Sequence, residues 1–240
     1  MGAQRLSELT FTSVRALVFD VDGTLCDSAS LHYKAWSQVV GQLGVPVPTW
    51  QDYVKECLRG QRRFEDLLEP QGAASSLVLP DLHKAKSHLF SQLALASLKP
   101  FTGVIELWSQ ARALGLRLAI VSTARRQSVE DTVKILHLPS PDVIISREDV
   151  EPHVKPDPTG YRLATQRLAL VPVNCVAFED SPSGIQAATL AGLPCLAMIS
   201  SVFSSEEQSG ARLLLDSFED VTLIPDKEGS AKLLVYRTVP

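Results

Sequence analysis

Short apolar runs alternate along this chain with stretches whose apolar residues recur every three or four positions. Arg15-Ala-Leu-Val-Phe19 is a run of the first kind. With no polar residue between its apolar ones, it fits a strand buried on both faces. The next such run, Leu116-Arg-Leu-Ala-Ile-Val121, comes only after a long interval of helical texture. Within that interval Leu31, Ala35, Val39 and Leu43 line one helix face, and Gly44 with Pro46 beyond it stops the helix. Val54 and Leu58 continue the theme, then Phe64, Leu67 and Leu68, then Leu82, Ala85, Leu89, Leu93 and Ala96. The pattern predicts several helices inserted between the first strand and the second.

After Pro100 the texture alternates. Helices are predicted over 104–114, 128–136, 161–168 and 185–191, and Gly115 and Gly192 close the first and last of them. Strands are predicted over 116–121, 143–145, 175–178 and 195–199, and 212–215 adds a last one. Strands alternating with helices of this length imply βαβ units and a parallel sheet. The expected fold class is therefore α/β, a Rossmann-like parallel sheet core with an inserted α-helical domain. The core takes residues 14–27 and 98–221, the insertion 28–97, and a C-terminal extension 222–240. In the extension, Thr222-Leu-Ile and Lys232-Leu-Leu-Val-Tyr236 flank Pro225-Asp-Lys-Glu-Gly229, which reads as a hairpin or an ordered arm.

Composition narrows the function classes. The 240 residues are 45% hydrophobic and 21% charged, as in an average globular protein. A net charge of −4 argues against a general nucleic-acid binder. No apolar run approaches the ~20 residues of a membrane span, and the N-terminus Met-Gly-Ala-Gln-Arg lacks the apolar core of a secretory signal. Cytoplasm is the expected location and a monomer the expected state. Cys26, Cys57, Cys175 and Cys195 form no CxxC pair, which argues against zinc or a disulfide framework; three of them lie in apolar contexts as small core residues. His83, His88, His137 and His153 show no metal-ligand spacing and read as surface residues.

In an open parallel sheet, ligands bind beyond the carboxyl ends of the strands. After the first strand stand Asp20 and Asp22, and after the second Ser122 and Thr123. After the strand at 175–178 stand Glu179 and Asp180, followed by Ser-Pro-Ser-Gly184; Lys155 lies in the loop before the helix at Tyr161. Carboxylates gathered in this way are tolerable around a divalent cation, and hard oxygen ligands suit Mg²⁺, which binds through one or two carboxylates and a substrate phosphate. The Ser122 hydroxyl, backbone N–H groups and the Lys155 ammonium could hold that phosphate. One carboxylate could then attack phosphorus while a second, two residues on, moves the proton. Each motif alone has a plainer reading. Asp-x-Asp-Gly also suits a turn or a calcium loop, although the downstream ligands of a calcium loop are missing. Ser122-Thr123 suits a strand-end turn, Lys155 a solvated lysine and Glu179-Asp180-Ser a helix cap. The ordered set carries the chemical reading.

That set resembles the haloacid dehalogenase-like superfamily. Its first motif appears as Asp20-Val-Asp22-Gly23-Thr24, its second as Ser122, its third as Lys155 in Val-Lys-Pro-Asp-Pro, and its acidic fourth as Glu179-Asp180. The resemblance implies Asp20 as nucleophile and Asp22 as general acid/base. It implies magnesium held by Asp20, the backbone carbonyl of Asp22 and Asp180 with Glu179 close by, and phosphate held by Ser122 and Lys155 with Thr123 beside them. The dehalogenases of the superfamily lack the second aspartate, so phosphoryl chemistry is implied, and the helical insertion corresponds to the family's substrate-selecting cap.

Within the superfamily the chain looks most like the β-phosphoglucomutase-like branch. Asp27-Ser28 with Leu31-His32-Tyr33-Lys34-Ala35-Trp36 is similar to that branch's first cap helix, and Leu58-Arg-Gly60-Gln-Arg-Arg63 to its substrate-contacting cap turn. This implies cap contacts from His32 and Arg63. His32, one residue off the apolar stripe, suits a structural or surface role as well as a hinge role at the site; Arg59 and Arg62 compete with Arg63, and Trp36 suits the cap core. The branch's mutases carry a cap lysine where Phe90 or Ser91 falls here, the nearest being Lys84 and Lys86, about a turn away. The expected activity is a Mg²⁺-dependent phosphatase of a small phosphorylated metabolite such as a sugar phosphate. A phosphohexomutase and a non-enzymatic scaffold are the alternatives.

Overall fold

A computed structural model of the chain describes residues 6–60, 62–68, 79–227 and 229–237. The polypeptide enters through β1 (Leu6–Val14) and turns at Arg15 into β2 (Ala16–Phe19), every residue of which is buried. β2 lies inside a six-stranded parallel sheet with β3 (Arg117–Val121), β4 (Val143–Ile145), β5 (Cys175–Glu179), β6 (Cys195–Met198) and β7 (Leu213–Leu215), in the order β4-β3-β2-β5-β6-β7. Chain order reverses beside β2, where β3 lies on one side and β5 on the other. In open parallel sheets, ligands bind outside the carboxyl ends of the strands at such a switch point. The α/β reading of the sequence is borne out.

Alternation along the strands sends their side chains to the two faces of the sheet. Ala16, Val18, Ala119, Val121 and Ala177 share a core with Tyr161, Ala164 and Leu168 of α7 (Thr159–Leu168) and Ile185, Ala187 and Ala188 of α8 (Pro182–Leu190). Phe19 points the other way. Its ring stacks on Phe178 with centroids 4.8 Å apart and meets Trp108 of α4 (Val104–Ala113) at 5.3 Å and Phe218 at 6.1 Å. The remaining helices of this unit are α5 (Arg126–Ile135) and α6 (Arg147–Val150).

The chain divides into two compact units, one of residues 28–98 and one of the flanking segments. The smaller is helical, with α1 (Ala29–Gln42), α2 (Trp50–Asp52), a π-helical turn at Tyr53–Arg59, a 3-10 turn at Phe64–Leu67 and α3 (Leu79–Ser97). Trp36, Val39, Val40, Tyr53, Phe64, Leu68 and Leu82 make its core, and Trp36 stacks on Phe64 at 5.0 Å. His83, with its side chain 37% exposed, has a partner. Its Nε2 lies 2.8 Å from Oε1 of buried Glu65, since a buried carboxylate needs a partner.

The C-terminal segment is a hairpin of β8 (Val221–Pro225) and β9 (Ala231–Arg237), as one of the two sequence readings had it. Nothing in the local pattern points to a partner for β9. β9 pairs along its other edge with β1, making a three-stranded antiparallel sheet in the order β1-β9-β8. β1 escaped notice because register shifts between Ser7 and Leu9 and between Phe11 and Val14 break its period of two.

Candidate active site

Parallel pairing sets the site. β2 runs in register with β5 as far as Phe19 beside Phe178, and with β3 as far as Phe19 beside Ile120. The Asp20 N–H, donating to the Phe178 carbonyl at 2.9 Å, carries that ladder one residue further. Asp20 after β2, and Glu179 and Asp180 at the end of β5, therefore stand side by side at the edge of the sheet. Ligand oxygens of Asp20, Glu179 and Asp180 all lie within 4.8 Å of one another, and all three residues are buried.

Lys155, from the loop between α6 and α7, enters this cluster. Its Nζ donates to Asp20 Oδ1 at 2.5 Å and to Glu179 Oε1 at 2.6 Å. Burial works against the ammonium, but Asp20 and Glu179 outweigh it and hold the Lys155 pKa above its ordinary value. Burial pushes the Asp20 carboxyl up to about 8; Lys155 pulls it down, while Glu179 and Asp22 add to the rise. Asp180 is also driven well above the usual carboxylate range, by burial and then by Asp20 and Glu179. Three buried carboxylates facing one ammonium leave negative charge uncompensated, an arrangement a divalent cation relieves. The donor set, all carboxylate oxygen, fits a hard cation. The cluster can therefore hold a metal ion.

Glu179, fully buried, takes four donors. Lys155 Nζ and the Tyr161 hydroxyl reach Oε1, each at 2.6 Å, and the Asp180 N–H and Ser181 Oγ reach Oε2 at 3.2 and 3.4 Å. Tyr161 was missed in the sequence, where it reads as an apolar position of a helix; only its hydroxyl, six residues after Lys155, marks it. Two glycines allow the close approach. A Cβ on Gly184 would stand 2.1 Å from both Glu179 oxygens, and one on Gly23, at φ +86°, 2.1 Å from Asp180 Oδ2.

The other residues singled out from sequence fall into two groups. Ser122 is buried at the end of β3, its N–H donating to the Ile145 carbonyl at 2.9 Å and its Oγ accepting from the Ala124 N–H at 3.1 Å. Thr123 is half-buried, and its carbonyl accepts from Arg147 Nε at 2.8 Å. Asp22 is half-buried, and its charge adds to the upward pressure on Asp20 and Asp180; its carboxylate is not one of the three clustered groups. His32 and Arg63 belong to the helical unit. The His32 ring stacks on Phe90 with centroids 3.9 Å apart, and its Nδ1 faces Lys86 Nζ at 2.6 Å. The exposed Arg63 pairs with Asp66 at 2.8 Å, while Arg62 pairs with Glu56 at 3.2 Å.

A parallel sheet with a buried acidic cluster and a buried lysine at its switch point is a Rossmann-like core whose site can hold a cation. The chain belongs to the haloacid dehalogenase-like hydrolases, whose family model matches residues 14–192, as its four motifs suggested. It is 34% identical over 218 residues to protein CbbY of Cereibacter sphaeroides, covering 87% of this chain and 94% of that one. A solved structure of a CbbY mutant from Rhodobacter sphaeroides, in complex with xylulose-(1,5)bisphosphate, superposes with a TM-score of 0.77 at 32% identity over 85% of this chain and 95% of the other. A structure of a putative β-phosphoglucomutase from Thermotoga maritima gives 0.70 at 26% identity over 86% and 96%. Hexitol phosphatase A of Escherichia coli is 26% identical over 215 residues, 90% of this chain and 96% of that one. With such relatives along nearly its whole length, the chain is an enzyme of the phosphatase kind. Among the described residues no helix is long and apolar enough to cross a membrane.

Proposed function

We propose that this protein is a Mg²⁺-dependent phosphatase of a small phosphorylated sugar or polyol, working through an aspartyl-phosphate on Asp20. The observation that carries this is the Lys155 ammonium bridging Asp20 and Glu179 within a buried carboxylate cluster at the switch point. The CbbY structure holding a sugar bisphosphate and the named hexitol phosphatase support the substrate class.

Asp20 Oδ attacks phosphorus, and the bond from phosphorus to the ester oxygen breaks. Asp22 gives its proton to that leaving oxygen. Asp22 then takes a proton from a water molecule, whose oxygen attacks phosphorus and breaks the bond to Asp20, releasing inorganic phosphate and restoring the Asp20 carboxylate and the protonated Asp22. Lys155, held charged, neutralises Asp20 and faces the phosphoryl oxygens with Ser122 and Thr123. Asp20, Asp180 and the Asp22 carbonyl would hold Mg²⁺, with Glu179 beside them; bound there, the ion supplies charge stabilisation for the phosphoryl group.

The test is phosphate release from a panel of pentose and hexose phosphates, sugar bisphosphates, hexitol phosphates, phosphoglycolate and nucleotides, with and without Mg²⁺. Release that needs Mg²⁺, falls at least ~10³-fold in Asp20→Asn and falls ~10²- to 10⁴-fold in Asp22→Asn is expected. Metal-independent release, or an Asp20→Asn enzyme as fast as wild type, sinks the reading. Sugar isomerisation without phosphate release would move the chain to the mutases.

A further inference from the structure

Gln208 lies in the loop between β6 and β7, 28 positions after Asp180, and no sequence pattern marks it. It is 1% exposed, the kind of burial a polar side chain tolerates only when it is bonded. Its Nε2 donates to two backbone carbonyls, Asp180 O at 2.6 Å and Met198 O at 2.7 Å. Two acceptors at such distances fix the amide's orientation, because only the NH₂ end can serve both.

The two carbonyls stand where the sheet ends. β5 and β6 are paired as far as Glu179 beside Ala197; Asp180 follows the last residue of β5, and Met198 is the last residue of β6. Gln208 thus joins the strands one step past their ladder, at the point where Asp180 turns toward the carboxylate cluster. The Asp180 N–H is held in turn by Glu179 Oε2 at 3.2 Å. Both backbone groups of this acid are therefore fixed by side chains, and its carboxylate packs against Gly23. The loop that supplies Gln208 is itself braced. Gln208 N–H donates to the Ser204 carbonyl at 3.1 Å, Ala211 N–H to the Gln208 carbonyl at 3.0 Å, and Arg212 N–H to the Cys195 carbonyl at 2.7 Å.

We propose that Gln208 is a positioning residue for the metal site: it fixes the backbone of Asp180 and so presets the direction in which that carboxylate meets the ion. The inference rests on the metal reading of the cluster given above. Gln208 touches neither the ion nor the substrate; it acts through Asp180. Partners of this kind, one step behind a ligand, typically cost ~10- to 100-fold in metal affinity when removed.

The experiment is calorimetric titration of the full chain with Mg²⁺ alone, alongside the Mg²⁺-induced rise in Tm, for wild type, Gln208→Met and Gln208→Asn. Leu233→Ala, in the antiparallel sheet, serves as a control of lowered stability. Met fills the same volume and donates to neither carbonyl; Asn is one methylene shorter and reaches at most one. The expected result is a Mg²⁺ Kd about ten-fold weaker in Gln208→Met, an intermediate value in Gln208→Asn and the wild-type value in Leu233→Ala. A Gln208→Met protein that binds Mg²⁺ like wild type overturns the inference, as does a Leu233→Ala protein weakened by the same factor. If Gln208→Met does not fold, Gln208→Asn decides on the same criterion. A wild-type chain that shows neither heat nor a Tm shift with Mg²⁺ overturns the metal reading itself, and this inference with it.

Discussion

Gly184 lies so close beneath Glu179 that the Cβ of any other residue would meet both carboxylate oxygens at 2.1 Å. The atoms in the way are the end of a side chain, so the helix need not move, but that end is tied to Lys155 and Tyr161. A methyl group at 184 must push Glu179 off both, and with it the ammonium that faces Asp20. Gly184→Ala is therefore expected to fold, at the ~1–3 kcal/mol that overpacking costs. For a chain of this size, that is a fall in Tm of roughly 2–4 °C per kcal/mol. Phosphatase turnover is expected to drop about ten-fold or more, since shifting a positioning group by about 1 Å can cost roughly 10²-fold in rate. Thermal denaturation and kcat on the same preparation check this; wild-type turnover would mean that Glu179 does not hold Lys155 in place. Gly23 poses the same constraint on Asp180, with a left-handed backbone as a second obstacle.

The strand ends were legible in the sequence because their chemistry interrupts the apolar runs. Asp20 breaks the run before it, Glu179-Asp180 ends another, and Ser122 follows Val121. What supports those ends was not legible, because it depends on contacts between elements. Tyr161 looks like any aromatic residue on a helix, and Gln208 sits in a polar loop without periodicity. Asp149 is a third case, in α6. Its Oδ2 accepts from the Ser146 N–H and hydroxyl, each at 2.8 Å, and from Arg126 of α5 at 2.6 Å; its Oδ1 accepts from Arg167 of α7 at 2.9 Å. One carboxylate thus ties three helices beside the loop of Ser122 and Thr123. Burial pushes its pKa up, but the Ser146 bonds and the two arginines outweigh this and hold it at about 2. A carboxylate whose folded pKa is depressed stabilises the fold above its unfolded value, and that stability is lost as pH falls through the folded value. Between about pH 4 and pH 2, wild type should therefore lose Tm more steeply than Asp149→Asn, whose group does not titrate. The difference in Tm between the two should be widest near neutrality and narrow toward pH 2. Parallel Tm curves over that window would mean the carboxylate contributes nothing to the fold.

At the scale of the whole chain, the parallel sheet and the helical insertion could be read from periodicity alone, whereas the antiparallel sheet could not. That sheet joins the two ends of the chain, β1 from one and β9 from the other, and a pairing between segments so far apart leaves no local trace in sequence. β9 is its central strand, and Ala231, Leu233 and Val235 are fully buried. Phe218, just before β8, packs on Phe19 and Phe178, the residues that precede Asp20 and Glu179. The terminal strands are therefore part of the core's support rather than a free arm. Removing residues 226–240 would expose β1 and β8 as two unpaired edges and take away the Leu233 and Val235 side chains. At ~1.5–3 kcal/mol for each buried aliphatic side chain, that is roughly 3–6 kcal/mol, or a fall in Tm of roughly 6–24 °C. Exposed edges of this kind also recruit other chains, so the truncated protein is expected to aggregate on warming where wild type unfolds cleanly. Leu233→Ala alone should lower Tm by about 4–20 °C at ~2–5 kcal/mol for a buried leucine, without the aggregation, because its backbone still pairs. Differential scanning calorimetry with light scattering separates the two variants. A truncated chain with the wild-type Tm and no scattering would show that the terminal sheet is dispensable, and that the aromatic stack beneath the acidic cluster holds without it.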